Sequence, residues 1–319
     1  MKQETHAREG GNLLALAMGR MSTKIYDSLV AVDDISFAMY RGEAFGFLGP
    51  NGAGKSTVVK ILTGLVAPTR GEVRVLGNPV SHLETRRRVG YLPELPTFHR
   101  WLRAKEFLDF HGRLYGLRGM LLEKRIKEVL AEVGLTGREN QKLGTFSKGM
   151  LQRIGLAQAL LNRPDLVILD ELVSGLDPVG VRDMRELLRH LKMEGMSIFL
   201  NSHQLADVEV ICDRVAIINQ GRILKVGVPT ALFKGPTVLG VRVDQVNAEL
   251  LHYLDSIAIS VKRDECDPNS VLVEVQDEEE AAANVASVVH ACGRSLYSLA
   301  PRRHSLEQLF LQTIDGSID

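Results

Sequence analysis
The chain of 319 residues has little of several things, and each shortage excludes a class of protein. It has three cysteines, Cys212, Cys266 and Cys292, widely spaced and odd in number. They form no CxxC pair and no Cys/His cluster, which argues against a disulfide framework or a zinc-type metal site and fits a reducing, cytoplasmic setting. It has no excess charge, since 39 Lys plus Arg balance 39 Asp plus Glu. That removes the whole-chain electrostatic reason to expect a nucleic-acid partner, and none is expected. It has no apolar run near the roughly 18 residues that a membrane-spanning helix needs. The apolar stretch from Leu13 to Met18 is too short for a signal-peptide core and lacks a cleavage site. Residues 1–21 are therefore expected to be a poorly ordered leader or an over-extended start, with Met18 and Met21 near its end. Work at a membrane would need a partner.

What is present is ordinary globular composition, 45% hydrophobic with mean hydropathy near zero. The length suits a main domain plus an accessory one. Short apolar runs at Ala44–Leu48, Leu166–Leu169, Ser197–Leu200 and Val215–Ile218 read as buried parallel strands. Helical patterns such as Val181–Lys192 separate them, so the region from 22 to 235 reads as α/β. Residues 95–160 differ: amphipathic patterns at Ala104–Leu114 and Leu121–Val133 predict a helical insertion. The chain breaks at Lys234-Gly235-Pro236. Residues 236–319 then read as strand (Val238–Val243), helix (Ala248–Asp255), strand (Ile257–Arg263), strand (Ser270–Val275), helix (Glu278–Ala291) and strand (Ser295–Leu299). That βαββαβ order predicts a small ferredoxin-like α+β unit. Pro301 precedes a last amphipathic helix expected at Ser305–Thr313.

One motif carries clear chemistry. Gly49-Pro50-Asn51-Gly52-Ala53-Gly54-Lys55-Ser56 fits G-x-x-x-x-G-K-[ST], with an apolar strand before it and the helical Thr57–Leu62 after it. Glycines let the backbone wrap a polyphosphate with its N–H groups turned inward, and the following helix adds its positive N-terminus. Lys55 reaches the β- and γ-phosphates, and the Ser56 hydroxyl suits Mg²⁺. ATP and Mg²⁺ are thus the expected ligands, with Asn51, Gly52, Ala53, Gly54, Lys55, Ser56 and Thr57 holding the nucleotide. A second signal is Leu166-Val167-Ile168-Leu169-Asp170-Glu171, a buried strand that delivers two carboxylates at its C-terminal end. Asp170 is expected on Mg²⁺. Glu171 is expected to polarise the attacking water. By itself such a pair is often just a strand meeting solvent.

With these residues in place, the stretch from Tyr26 to His203 resembles the ATP-binding subunit of ABC transporters. Phe146-Ser147-Lys148-Gly149-Met150-Leu151-Gln152-Arg153 resembles the family's signature at a helix start. The resemblance implies that Ser147 and Gly149 close over the γ-phosphate bound by the opposite subunit, and Ser147 also reads as a plain helix N-cap. Ser174-Gly175-Leu176-Asp177-Pro178 resembles the D-loop, and Asn201-Ser202-His203 the switch segment, making His203 a γ-phosphate sensor and the partner of Glu171. Glu94 takes the place of the Q-loop glutamine near the metal. Tyr26 sits where the family stacks an aromatic on adenine, with a packed tyrosine as the bland alternative.

The resemblance implies an ATPase of P-loop ABC type, with Lys55, Glu171 and His203 as its catalytic groups. It implies a head-to-tail homodimer formed on ATP and an integral membrane permease as separate partner, at the cytoplasmic face of the membrane. The single cassette and the ending Ser305-Leu306-Glu307-Gln308-Leu309-Phe310 resemble the exporter-type subgroup. A coupling groove is expected beside Pro96-Thr97-Phe98-His99-Arg100-Trp101, although Phe98 and Trp101 read equally as subdomain core. The pattern is departed from at Glu94 (for glutamine), Lys148 (for the first signature glycine), Met150 (for glutamine) and Leu172 (for proline). Two other functions compete: a soluble ATPase acting on ribosomes or DNA, for which Arg86-Arg87-Arg88 would be the phosphate contact, and a regulatory ATP-binding module that does not hydrolyse.

Overall fold
All five positions of Ala44–Leu48 are buried, as a strand with neighbours on both sides must be. This strand (β3) lies centrally in a six-stranded sheet of the computed structural model, which describes residues 17–232, 237–264, 267–276 and 278–302. In chain order the first part holds β1 (Ala17–Tyr26), β2 (Leu29–Met39), β3, α1 (Lys55–Leu62), β4 (Arg70–Val75), β5 (Asn78–Pro79), α2 (Leu83–Arg87) and β6 (Val89–Leu92). Next come α3 (Ala104–Leu114), α4 (Gly119–Glu132), α5 (Lys148–Leu160), β7 (Leu166–Asp170) and α6 (Pro178–Met193). It closes with β8 (Ser197–Ser202), α7 (Leu205–Ile211), β9 (Arg214–Asn219), β10 (Arg222–Gly227) and α8 (Pro229–Leu232).

The large sheet has the order β10-β9-β3-β8-β7-β6, parallel throughout except for the edge hairpin that brings in β10. Parallel pairing aligns the carboxyl ends of β3, β6, β7 and β8 along one edge, where an α/β sheet holds its ligand. A second sheet, β2-β1-β4-β5, is antiparallel and was not legible as a sheet in the sequence. Its inner residues Val32, Ile35, Phe37, Met39, Val73 and Val75 share one core with Phe45, Phe47, Val58, Leu62 and Phe199. Phe37 packs on Phe45, Phe47 and Phe199 with ring centroids 5.6–6.2 Å apart. At about 25 cal/mol per Å² of apolar surface, such a four-ring contact is a main tie between the layers. β1 corrects one expectation: strand pairing begins at Ala17↔Met39, so residues 17–21, assigned to a leader, are paired backbone. Their own alternation is weak, and only the partners on both sides make them a strand. The rest of the expected leader lies outside the described residues.

The helical insertion is present as α3, α4 and α5. Arg125 of α4 is buried among them and donates to the Leu160 and Leu161 carbonyls at the end of α5 (2.6 and 3.0 Å). A guanidinium there satisfies carbonyls that have no partner within their helix and suits the negative helix end.

Residues 233–319 form a second compact unit, following a first unit that ends at Leu232. It holds β11 (Thr237–Val243), α9 (Ala248–Ile257), β12 (Ser260–Arg263), β13 (Ser270–Val275), α10 (Glu278–Ala291) and β14 (Leu296–Arg302). The antiparallel order is β12-β13-β11-β14. Leu239, Val241, Val243, Leu250, Leu254, Val271, Val273, Val285 and Val289 make its own core. Several boundaries differ from expectation. Helix α9 runs on to Ile257, and β12 starts only at Ser260, where pairing with Glu274 begins. β14 extends past Leu299 through Pro301, which an edge strand tolerates because its N–H side needs no partner. The expected helix at Ser305–Thr313 and the break at Lys234-Gly235-Pro236 lie outside the described residues.

Candidate active site
The loop Gly49–Gly54 leaves β3 and enters α1 at Lys55. Its glycines are steric requirements. A Cβ at Gly49 would collide with the Ile218 carbonyl, and one at Gly54 (φ +102°) with that of Ala31. Gly52 (φ +82°) has open space where a Cβ would be, so its backbone conformation alone calls for glycine, and it lines a cavity. That cavity is about 790 Å³ and lies over the carboxyl edge of the large sheet. It is lined by Asn51, Gly52, Gly54, Lys55, Ser56 and Thr57 from the loop, with Tyr26, Glu94, Glu171 and His203 from four further segments.

Lys55 is 6% exposed and donates to the Gly49 and Pro50 carbonyls at 2.7 and 3.1 Å, so its ammonium stays beneath the loop it serves. Burial pulls its pKa down, while Glu171, Asp170 and Glu94 oppose the fall. Across the cavity Glu171 is buried in the left-handed backbone region (φ +51°), a strained conformation for a non-glycine residue. That turn carries its carboxylate off the end of β7 to 2.6 Å from His203 Nδ1. Burial raises the Glu171 pKa above the usual carboxylate range, and His203 partly offsets the rise. His203 in turn is set by the end of β8. Ser202 Oγ accepts from the Gln204 amide (2.9 Å) and donates to Asp207, whose other oxygen binds Arg185 of α6.

Asp170 lies behind the cavity wall and is not on it. The register Asp170↔Asn201 places the Asn201 amide on its carboxylate. Burial pushes the Asp170 pKa up, and the nearby Glu94 charge adds to that, against the Asn201 hydrogen bond. Asn201 is a residue sequence reasoning named only as part of a segment; its signal was its position opposite Asp170 in a neighbouring strand. Ala53 is tucked under the loop, with its N–H on the Pro50 carbonyl (3.2 Å) and its side chain off the cavity wall. Ser147 and Gly149 do not line this cavity. They begin α5, where Ser147 Oγ accepts from the Met150 amide at 3.3 Å. Sequence reasoning missed Leu29, Val30 and Ala31 of β2 and the Gln220-Gly221 turn, and named Ser174 only as part of the D-loop segment; all are on the wall. Arg87 and Arg88 pair with Glu84 and Asp165 and are not a free basic patch.

The site's donor set fits a nucleotide polyphosphate with a hard divalent cation. It combines a glycine cradle open to one side, a buried ammonium, a hydroxyl at Ser56, and carboxylates at Asp170 and Glu94. Among the described residues no cluster of metal-ligating side chains stands ready without such a ligand.

A P-loop on the central strand of a mixed α/β sheet, facing an acidic pair at the end of β7 two strands away, defines the class: a P-loop nucleotide-binding ATPase domain. A family profile described as ABC transporter matches residues 32–174. The linearmycin resistance ATP-binding protein LnrL of Bacillus subtilis is 34% identical over 297 residues, covering 90% of this chain and 94% of LnrL. An uncharacterized ABC transporter ATP-binding protein of Synechocystis sp., sll0415, is 49% identical over 192 residues, 60% of this chain. The chain spans little more than half the length of that relative, 54%. A solved ATP-binding subunit of an ABC transporter superposes with a TM-score of 0.62 at 33% identity, covering 68% of this chain and 91% of its own. The chain belongs to the ABC transporter ATP-binding proteins.

Proposed function
We propose that this chain binds ATP with Mg²⁺ and hydrolyses it as the ATP-binding subunit of a transporter whose membrane-spanning permease is a separate protein. The observation that carries the reading is the buried Glu171 carboxylate held at 2.6 Å from His203 on the wall opposite the P-loop. Phosphoryl transfer to water needs positioning and charge neutralisation more than covalent chemistry. Lys55 and the loop amides balance phosphate charge. Glu171 orients a water and takes its proton, and His203 holds Glu171 in place. Ser56, Asp170 and Glu94 are the residues that would hold Mg²⁺, which neutralises the phosphates when bound. Tyr26, 38% exposed at the cavity mouth, offers its face to the base.

Ser147 and Gly149 lie outside the chain's own cavity, which supports a head-to-tail pair in which each copy's α5 start meets the nucleotide of the other. The permease is read to dock beside Pro96–Trp101. There Trp101 is 69% exposed, while Phe98 is half-buried and packs edge-on to Phe107 at 5.5 Å. The printed name of LnrL, a resistance protein, favours export. The site would then sit at the cytoplasmic face, and no helix among the described residues is long and apolar enough to cross a membrane. We divide the chain into an ATPase domain, which takes in β1 from Ala17 and runs to about residue 235, and an accessory domain of about 236–319. The sheet order β12-β13-β11-β14 supports reading the latter as ferredoxin-like.

The test is Glu171→Gln. It keeps the side-chain shape and removes the base, so ATP turnover is expected to fall by at least about a hundredfold while an ATP-bound dimer accumulates on size exclusion. Unchanged turnover would remove Glu171 from its role.

A further inference from the structure
Two of the four departures from the family pattern near the proposed ATP site are charged side chains, and their charges are opposite. Glu94 stands in place of glutamine, and Lys148 in place of a glycine. Both are exposed, and neither makes a hydrogen bond or ion pair among the described residues.

Glu94 adds a second carboxylate to a cavity wall that already carries Glu171, with Asp170 just behind it, against one buried lysine. Its charge is felt inside the site, since it adds to the upward push on the Asp170 carboxyl. A polyphosphate adds more negative charge beside it. Lys55 and a bound Mg²⁺ together carry less positive charge than these carboxylates and a polyphosphate carry negative, so a further cation beside Glu94 would be favoured.

Lys148 is the complementary case. It is the first residue of α5, at the positive end of the helix, where a cation is unfavourable. Its stem lies along the Ser174–Asp177 loop, so close to Gly175 that a Cβ there would collide with the ammonium. Gly175 (φ +67°) leaves the room for it, and Ser174 beside it is on the cavity wall. The stem is thus steered along a loop at the site, while the head has no anion of its own.

We propose that, when two copies pair head to tail over ATP, the Lys148 ammonium of one copy is the counter-charge for the Glu94 carboxylate of the other. The inference rests on the ATP-driven pairing proposed above. It makes the two departures a single device: the excess negative charge to which Glu94 adds is reduced when a second copy closes on it. Pairing is then favoured by charge as well as by nucleotide, and it is sensitive to salt.

The test is a double-mutant cycle in full-length protein carrying Glu171→Gln, with ATP and Mg²⁺ present, read as the dimer dissociation constant by analytical ultracentrifugation. Lys148→Gly is expected to weaken pairing about tenfold, and adding Glu94→Gln to restore it to within about threefold of the parent. Lys148→Met, which keeps helix propensity, should weaken pairing equally. If the two effects simply multiply, or Glu94→Gln fails to rescue, the charge pair is wrong although the dimer stands. If the Glu171→Gln parent stays monomeric with ATP, the pairing itself is wrong, and this inference falls with it.

Discussion

Glu171 concentrates most of what is unusual in the site. Its backbone is left-handed, its carboxylate is buried, and its partner is the half-exposed His203. These features work together. A strained turn persists only where surrounding contacts over-determine it, and here the Glu171 amide is held by the Asn201 carbonyl (3.0 Å) while the Ser174 amide is held by its own. A base acts in its ionised form, and burial has raised the pKa of Glu171. The acid limb of kcat against pH is therefore expected above the ordinary glutamate value of about 4.3. His203 opposes that rise, through its charge first and its hydrogen bond second. Removing it with His203→Ala should move the acid limb further up in pH as well as lower the plateau rate. A pH–rate profile of both proteins checks this; a limb that stays put or moves down would mean His203 does not act on Glu171. The identities of Lys55, Ser56, Glu171 and His203 could be read from the sequence because each sits at a fixed offset from a strand end. The strain at Glu171 and the Asn201–Asp170 contact could not, because both depend on which strands are neighbours.

Among the elements, the β9–β10 turn ties the site together. Gly221 N–H donates to the Ala53 carbonyl of the loop (2.9 Å), and the Gly221 carbonyl accepts from Asp33 N–H of β2 (2.8 Å). Arg222 reinforces the link with two contacts to one Asp33 oxygen. The phosphate loop and the antiparallel sheet that carries Tyr26 are thus joined through one residue. Gly221 has φ +78°, and a Cβ would press on the Ala31 carbonyl at 3.1 Å and Val32 Cα at 3.2 Å. Gly195 (φ +88°) has a similar backbone with open space around it. Gly221→Ala is expected to cost about 1–3 kcal/mol of stability and to weaken ATP binding, while Gly195→Ala carries only the backbone strain. Urea unfolding and nucleotide titration of the two variants separate these cases; equal losses would mean the clasp contributes nothing. This turn escaped sequence reading because Asn219-Gln220-Gly221-Arg222 looks like any hairpin turn. Its value lies in what its backbone meets 170 or so residues earlier in the chain.

In the whole molecule, each compact unit encloses its own apolar core, so each has its own reason to fold. A chain ending at Leu232 keeps both sheets, the helical insertion and every residue on the cavity wall. It is expected to fold cooperatively and to bind ATP within about threefold of the full chain. Circular dichroism with denaturant and a nucleotide titration test this. A truncated chain that is molten or that does not bind would make the second unit part of the first unit's stability.

By itself the sequence determined the chemistry and its order along the chain. Phosphate loops, helix caps and buried strands are local patterns, set by backbone freedom at glycine, by side-chain periodicity and by residue type within a few positions. The tertiary structure alone decided what those patterns meet. It placed the ends of β3, β6, β7 and β8 at one edge, recruited the weakly patterned residues 17–21 into a sheet, and turned Glu171 onto His203. It also left Ser147 and Gly149 outside the cavity of their own chain. The physical reason is that strand neighbours and side-chain approach are fixed by burial against distant segments, and no short window of sequence contains both partners of such a contact.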